Sequence, residues 1–291
     1  KGDTRHLWER SAASPSSVRA RSYAIIPNMK VGELGEFGLI ERIISLLQKA
    51  GPDSCLLLGP GDDAAAWRPT CPVTLATADA MNEGIHFRLS TTSWHDLGWK
   101  ALAINISDIA AMGGEPQHAL VSLDLPPSTG VDDVLDFYRG FADLARQCRV
   151  AVVGGNLSRS SKVAVHVTVL GGLRGEEMLL RSSARAGDLI AVTGYLGASA
   201  AGLKALTAKR RSARAGGTAV APGPSVEALV QAHRRPWPRV NEGQALLTLG
   251  IRAGMDISDG LLSDLGHMCR ASGTAAHIMI DQVPVHPEAR L

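Results

Sequence analysis

The spacing of apolar and polar positions predicts regular structure from about residue 35 onward. In residues 35–51 the apolar side chains recur at helical spacing and the run ends at Gly51, a pattern typical of a helix with a glycine stop. Residues 55–65 are predicted to form a buried strand that runs into a Gly/Pro/Asp loop. A second short strand is predicted over residues 73–79.

The same spacing predicts further alternating elements up to residue 172. Ser93, with Asp96 three positions later, indicates the N-terminus of a long apolar helix that ends at Gly113. Residues 131–148 have the pattern of an amphipathic helix. Three more strands are predicted, at residues 118–126, 150–155 and 162–172.

A second unit begins near Arg174. Its predicted elements are a strand at 189–193, a helix at 195–206, a loose surface loop at 208–225, helices at 225–233 and 240–250, and a strand at 275–280. Strands and helices therefore interleave in both halves, which favours a two-domain α/β or α+β protein. We place the domains at residues 29–173 and 174–291.

Both ends of the chain depart from this pattern. Residues 1–28 are basic, Ser-rich and without sustained periodicity, so we expect a disordered or non-native extension with Met29 as the natural start. The chain stops at Leu291, soon after the strand predicted at 275–280. We therefore expect the C-terminal domain to be incomplete.

Composition narrows the class of protein. The 291 residues are 45% hydrophobic with a formal net charge of +2, so nothing in the totals calls for nucleic acid or an anionic membrane as partner. No apolar run approaches the roughly 18 residues that cross a bilayer. The four cysteines are widely spaced, without a CxxC pair, which favours reduced thiols in a cytoplasmic protein.

Several aspartates stand in apolar or strand-end positions, namely Asp62, Asp63, Asp79, Asp108, Asp256 and Asp259. A carboxylate in apolar surroundings is costly unless a cation or hydrogen bonds compensate it. If these side chains converge, they form a hard, oxygen-lined site of the kind that suits Mg²⁺, which completes its shell with water and phosphate oxygens.

Each of these motifs also has a simpler structural interpretation. GPGDD (59–63) is typical of an ordinary turn, and DISDG (256–260) is equally typical of a helix N-cap in which Asp259 or Ser258 accepts from exposed amides. Asp108 is the hardest to explain in this way, because aspartate has poor propensity for a helix interior and its neighbours are apolar. Asn105, three positions earlier, shares its helix face.

The common nucleotide-binding and nucleophile motifs are incomplete or absent in the sequence. GASAAGLK (197–204) has the glycine spacing of a P-loop, but Leu203 stands where the phosphate-binding lysine is required. The HRD and DFG motifs of protein kinases and the GxSxG motif of hydrolases do not occur.

Taken together and in order, nine segments resemble thiamine-monophosphate kinases, within the superfamily of aminoimidazole-ribonucleotide synthetase-like ATP enzymes. The segments are GEFGLIERI (35–43), GPGDDAA (59–65), TADAMNEGIHF (77–87), KALAINISDIAAMGG (100–114), VVGGNLSRS (152–160), LLRSSARAGD (179–188), VTGYLGASAAGL (192–203), HRRPWPR (233–239) and MDISDGLLSDLGH (255–267). The resemblance covers about residues 33–291. It implies an N-terminal domain whose sheet helps to build a homodimer barrel, a second α/β domain, and an active site in the cleft between the domains.

The resemblance also implies roles for individual residues. Metal ligands for several Mg²⁺ ions are expected at Asp63, Thr77, Asp79, Asp108, Asn156, Asp256 and Asp259. ATP contacts are expected at Gly155, Asn156, Arg181, Ser258 and Tyr138, and a substrate contact at His86. The implied reaction transfers the γ-phosphoryl group of ATP to thiamine monophosphate, giving thiamine diphosphate and ADP, without a covalent protein nucleophile.

Three departures from the family pattern leave alternatives open. The usual GGD is GGN here, so that Asn156 offers only an amide oxygen to a metal, and Ala78 replaces a residue that often bears a hydroxyl. A segment resembling GGEDYEL, which helps to bind substrate in the family, is absent from the sequence. The alternatives are a sister enzyme of the selenophosphate synthetase or hydrogenase-maturation type, and a truncated protein that binds nucleotide without catalysis.

Overall fold

The computed structural model describes residues 28–47, 55–214 and 224–290. Its helices are α1 (Val31–Leu34), α2 (Glu36–Leu47), α3 (Trp94–Ala111), α4 (Val131–Cys148), α5 (Ala198–Arg214), α6 (Pro224–Arg234), α7 (Val240–Thr248) and α8 (Leu261–Ser272). Its strands are β1 (Leu56–Leu58), β2 (Ala66–Trp67), β3 (Val73–Asn82), β4 (Glu115–Leu125), β5 (Ala151–Arg159) and β6 (Ala164–Leu173). The extension predicted for the N-terminus and the glycine stop at Gly51 lie outside the described residues.

Four strands form the main sheet of the first half, in the order β3-β6-β4-β5. β6 pairs antiparallel with both β3 and β4, whereas β4 and β5 are parallel and are joined by the crossover helix α4. A parallel pair requires such a crossover, since the chain must return to the same end of the sheet. β3 and β5 are consequently the two edges of the sheet.

Helices α3 and α4 cover one face of this sheet and form the core with it. Phe137 and Phe141 of α4 and Leu97 and Ile106 of α3 are fully buried in one cluster with the inward side chains of the strands. The side chains at alternate positions on the opposite face, among them Leu120 on β4, are partly or fully exposed. The sheet therefore has one covered face and one open face, as alternation in its strands predicts.

The second half is helical in its regular parts. α5 packs against α6, and α7 packs against α3 of the first half, where a side chain at Gly243 would collide with the Ala110 carbonyl. Isolated bridges join Leu180 to Ala253 and Leu196 to Val285. The described part of this half contains no multi-residue strand.

Three structural predictions for this half were wrong. Residues 189–193 are irregular, with Leu189 95% exposed, and residues 275–280 are also irregular, leading into a 3₁₀ turn at Ile280–Gln282. A strand needs a hydrogen-bonded neighbour, and the described chain offers neither segment a paired strand. α5 also continues to Arg214, well into the loop predicted for 208–225, whose residues 215–223 lie outside the described residues.

Elsewhere the predicted elements are confirmed, with one difference in burial. α4 has the predicted bounds, and Ser93 caps α3 by accepting a hydrogen bond from the Asp96 amide at 3.1 Å. β1 occurs where a buried strand was predicted, but Leu57 and Leu58 are exposed because β1 pairs only with the two-residue strand β2. Among the described residues, no helix has both the length and the apolar character required to span a bilayer.

Candidate functional site

Helix α3 positions the first carboxylate of the site through a fully buried asparagine. The Asn105 side chain donates to the Ala101 carbonyl at 3.0 Å, which fixes its orientation along the helix. Its Oδ1 atom accepts the backbone N–H of Asp79 at 2.9 Å, and Asp79 lies on the edge strand β3. Asn105 thereby ties the helix to the strand at the residue that carries the carboxylate.

The second carboxylate belongs to α3 itself. Thr77 on β3 donates its hydroxyl to Asp108 Oδ2 at 2.6 Å. This hydrogen bond is a second link between β3 and α3, beside the one from Asp79 to Asn105. Asn105 and Asp108 face the same strand, as their spacing of three predicted. β3 and α3 thus bring Thr77, Asp79 and Asp108 together.

The third carboxylate comes from the second half of the chain. Ser107, also on α3, donates its hydroxyl to Asp256 Oδ2 at 3.0 Å across 149 positions of sequence. The backbone before Asp256 is held by hydrogen bonds that pair residues 252–254 with Leu180. Asp79, Asp108 and Asp256 therefore meet where the two halves of the chain join.

Burial and mutual repulsion shift the protonation of all three carboxyl groups. Burial is the largest cause and raises the pKa of Asp79, Asp108 and Asp256 above the usual aspartate value. Each group is raised further by one of the others, Asp79 by Asp256, Asp108 by Asp79, and Asp256 by Asp108. The hydroxyls that donate to Asp108 and Asp256, and the positive charge of Arg181, lower those two pKa values in part.

These residues match the donor chemistry of Mg²⁺ but do not form a closed cage. Within the described residues no three histidine, cysteine, aspartate or glutamate side chains are close enough to hold an ion by themselves. The donors that converge are carboxylate and hydroxyl oxygens, and their repulsion is of the kind that a divalent cation relieves. Mg²⁺ characteristically takes one or two carboxylates and completes its shell with water and substrate phosphates, so an open arrangement fits it.

The loop after Asp256 is held in place by Asp264, a residue for which the sequence predicted no role. The buried Asp264 side chain accepts the backbone N–H groups of Ser258, Asp259 and Gly260 through one oxygen, at 2.9, 3.1 and 3.1 Å. The N-cap of α8 is Gly260, and neither Ser258 nor Asp259 caps the helix with its side chain. The N-cap interpretation of DISDG was therefore wrong.

His86 lies in the turn that follows β3, close enough to Asp79 to affect its charge. Its ring is exposed, and Nδ1 accepts the backbone N–H of Asn82 at 2.9 Å, which fixes the ring orientation. The positive charge that His86 can carry lowers the pKa of Asp79. With Nδ1 used as an acceptor, Nε2 is the ring nitrogen left to donate a hydrogen bond.

The remaining predicted site residues lie elsewhere. Asp63 is in an exposed turn where its N–H donates to the Asp62 side chain at 2.8 Å. Gly155 and Asn156 are on β5, separated from β3 by two strands, or about 14 Å at a spacing of about 4.8 Å per strand. Tyr138 is 4% exposed and packs in the core against Phe137 and Phe141, so its predicted ATP contact has no support from its position.

The chain matches two family models. The AIR synthase related N-terminal domain matches residues 61–173, and the AIR synthase related C-terminal domain matches residues 185–290. The first range contains Asp79 and Asp108, and the second contains Asp256. The three carboxylates therefore come from both matched domains.

Similarity to individual proteins is more specific. The thiamine-monophosphate kinase of Aquifex aeolicus (strain VF5) is 36% identical over 90% of this chain and 79% of its own length. The crystal structure of thiamine-monophosphate kinase from Stenotrophomonas maltophilia K279a is 37% identical, with a TM-score of 0.74 over 87% of this chain and 77% of that one. AaThiL complexed with AMPPCP and TMP is 35% identical, with a TM-score of 0.68 over 90% of this chain and 78% of that one. With this identity and coverage, and with its carboxylates converging at the domain junction, the chain belongs to the thiamine-monophosphate kinase family.

Proposed function

We propose that the chain transfers the γ-phosphoryl group of ATP to thiamine monophosphate at the junction of its two halves, giving thiamine diphosphate and ADP. The observation that carries the proposal is the meeting of Asp79, Asp108 and Asp256 from β3, α3 and the loop before α8. The chain's membership of the thiamine-monophosphate kinase family supports the choice of reaction. It also disfavours the sister-enzyme alternatives.

The reaction needs positioning and charge neutralisation more than a protein nucleophile. An oxygen of the thiamine phosphate attacks the γ-phosphorus, and the bond to the β,γ-bridging oxygen breaks as ADP leaves. The attacking oxygen is already anionic, so no side chain has to accept its proton. What the protein must supply is a fixed arrangement of groups around two polyanions that repel each other.

Each converging residue has a role in this arrangement. Asp79, Asp108 and Asp256 would hold Mg²⁺, with Thr77 and Asp259 as further oxygen donors. Mg²⁺ supplies neutralisation of the phosphate charge when it is bound. The Arg181 guanidinium, whose positive charge acts on Asp108 and Asp256, would contact a phosphate oxygen, and His86 would contact the substrate. Ser258 would contact ATP through its hydroxyl, because its N–H is already bonded to Asp264.

The test of this function is the substitution Asp108→Asn. We expect kcat to fall roughly 100-fold or more, because a neutral amide neither binds Mg²⁺ as a carboxylate does nor neutralises its charge. The fold should survive, since removing a half-buried charge relieves repulsion from Asp79. Activity is measured as ADP release with and without thiamine monophosphate, and folding by thermal unfolding.

A matched control separates this effect from a general loss of acidic charge. Asp136→Asn removes a half-buried carboxylate on α4 that pairs with Arg139 at 3.5 Å, and it should leave kcat unchanged. Unchanged turnover in Asp108→Asn would remove Asp108 from the site. Nucleotide binding by the wild-type chain without substrate-stimulated ADP release would instead favour the non-catalytic alternative.

We also propose that the active unit is a homodimer. The predicted site residues of one chain divide into a group at β3 and α3 and a group at β5, on opposite edges of the sheet. The open face of the sheet combines apolar Leu120 with His166, whose ring lies 3.5 Å from Asp124, and this exposed surface is suited to a second sheet. A second copy facing it would place β5 of one chain near β3 of the other.

Complementation between inactive variants tests the dimer. Asp108→Asn and Asn156→Lys should each be nearly inactive as homodimers. If each site takes these residues from different chains, co-expression should restore about a quarter of wild-type activity through mixed dimers. Failure to recover activity in a sample that light scattering shows to be dimeric would contradict a shared site, and a monomeric active enzyme would contradict the dimer.

A further inference from the structure

Within the part of the chain that the structure describes, Asp264 is a buried acidic residue that pairs with no cationic side chain. It lies in the first turn of α8, with 3% of its surface exposed. One carboxylate oxygen accepts three consecutive backbone N–H groups, those of Ser258, Asp259 and Gly260. Three amides that converge on one point form a small anion-binding concavity, and here the chain fills that concavity with its own carboxylate.

These contacts determine the path of the loop that carries Asp256 and Asp259. Gly260 has a φ of +115°, a conformation that a side chain disfavours, and it lets the loop turn sharply into α8. The other end of the loop is fixed by the bond from Ser107 to Asp256. The loop is therefore anchored at one end by α3 and at the other by Asp264.

We propose that Asp264 is a positioning residue for the divalent-cation site, acting through Asp256 and Asp259 and not by touching the reactants. Its charge holds the three amides in one direction, which keeps the Asp256 carboxylate at the junction and fixes the backbone that carries Asp259. It also occupies the amides that would otherwise bind a phosphate oxygen, so the loop contributes acidic side chains instead of N–H donors. This inference rests on the function proposed above, since it concerns the same site.

The negative charge of Asp264 is essential to this role. A carboxylate oxygen accepts several N–H groups and is stabilised further by the positive end of a helix dipole. An asparagine of the same size has only one acceptor oxygen, neutral, and its NH₂ group would oppose an N–H if the amide turned. The loop should then sample other positions, and the cation site would lose its fixed geometry.

The experiment compares Asp264→Asn with the wild-type chain in two measurements. The first is the Mg²⁺ concentration that gives half of the thermal stabilisation observed with a non-hydrolysable ATP analogue. The second is the Mg²⁺ dependence of ADP release. We expect both half-saturation points to rise roughly 10- to 100-fold, as for loss of a partner that orients metal ligands. At saturating Mg²⁺ much of kcat should return, which loss of a directly catalytic group would not permit.

Two further variants make the result decisive. Asp133→Asn is the matched control, because Asp133 is in the first turn of α4, whose N-cap is also a glycine, and is exposed. It should leave both half-saturation points unchanged. Asp264→Glu keeps the charge one methylene further out and should show an intermediate rise. If Asp264→Asn does not fold, Asp264→Glu decides.

The outcomes separate this inference from the proposed function. Unchanged Mg²⁺ half-saturation in Asp264→Asn, or in Asp264→Glu where the first variant is unfolded, overturns the positioning role even though the wild-type enzyme turns over. An equal rise in Asp133→Asn overturns it as well. Absence of substrate-stimulated ADP release in the wild-type chain is a failure of the proposed function instead.

Discussion

Lys100 lies in the second turn of α3, where burial lowers the pKa of its ammonium group to about 8. Nearby, burial, Lys100 and Arg234 together lower the pKa of His233 to about 4. The folded-state pKa of Lys100 is below its unfolded value of 10.5, so the unfolded chain binds this proton more strongly. The resulting loss of stability is fully present below about pH 8 and vanishes above about pH 10.5.

Replacing this lysine should therefore stabilise the protein at neutral pH. For Lys100→Met we expect the free energy of unfolding to rise by about 1–2 kcal/mol at about pH 7, and by much less near pH 10. Denaturant titration at the two pH values measures the difference. Lys204→Met, which removes an exposed lysine of α5, should change little at either pH. A loss of stability in Lys100→Met at neutral pH would show that its charge has a favourable partner.

Single residues also show how far the sequence could reveal the site. Asp108 was predicted because a carboxylate in an apolar helix demands an explanation, and the structure places it beside Thr77. Asn105 was recognised only as a residue on the same helix face as Asp108. Sequence spacing alone does not show that its side chain accepts the backbone N–H of Asp79. Asp264 was missed because an aspartate in the first turn of a helix is ordinary, and only the folded loop shows its three amide contacts.

At the scale of elements, α3 and α4 approach each other through a pair of glycines. A Cβ atom at Gly98 would lie 1.9 Å from the Phe137 carbonyl oxygen, and one at Gly140 would lie 1.9 Å from the His95 carbonyl oxygen. The obstructing atoms are backbone and cannot rotate away. The two helices can therefore pack this closely only because neither glycine has a side chain.

Gly98→Ala should separate these helices and destabilise the fold. We expect a loss of about 2–3 kcal/mol in the free energy of unfolding, measured by denaturant titration. Gly266→Ala is the control within α8, where the nearest atom to a new Cβ is a flexible arginine terminus at 3.4 Å. It should be neutral or stabilising by up to about 1 kcal/mol, through helix propensity. Equal stability of Gly98→Ala and the wild type would refute the close packing.

Helices and strands were predicted correctly where the pattern within the segment is enough to define them. The prediction failed where the element depends on pairing with another strand. The bounds of α4 follow from its own amphipathic pattern, so they could be predicted without knowledge of the fold. The apolar runs at 189–193 and 275–280 look like strands by composition, but a strand exists only when another strand pairs with it. β5 shows the reverse effect, since pairing with β4 extends it beyond the predicted end at Gly155 to Arg159.

At the scale of the whole molecule, the segment HRRPWPR (233–239) joins the two halves. Arg234 Nε donates to the Thr91 carbonyl at 2.8 Å, and the Trp99 indole donates to the Pro236 carbonyl at 3.0 Å. Arg235 pairs with Asp96, whose side chain is 6% exposed. The sequence showed this segment only as part of a family resemblance. Its structural role depends on contacts with α3 about 140 positions away, which no local pattern reports.

Arg235 should therefore help to fix the position of the second half of the chain relative to the first. It should thereby stabilise the site to which both halves contribute. In Arg235→Gln the buried Asp96 loses its cationic partner, and the guanidinium no longer lies over the Trp99 ring, from which it is 5.9 Å away. We expect a loss of about 1–3 kcal/mol in unfolding free energy, the lower part of that range reflecting the partial exposure of Arg235. Since Asp108 and Asp256 lie on opposite sides of the junction, Mg²⁺-dependent ADP release should weaken as well.

Arg139→Gln is the control, because it breaks only a surface i,i+3 pair on α4, and it should affect neither measurement. Normal Mg²⁺ dependence in a measurably destabilised Arg235→Gln would mean that the remaining contacts across the junction, among them Ser107–Asp256 and Arg234–Thr91, hold it in place without Arg235.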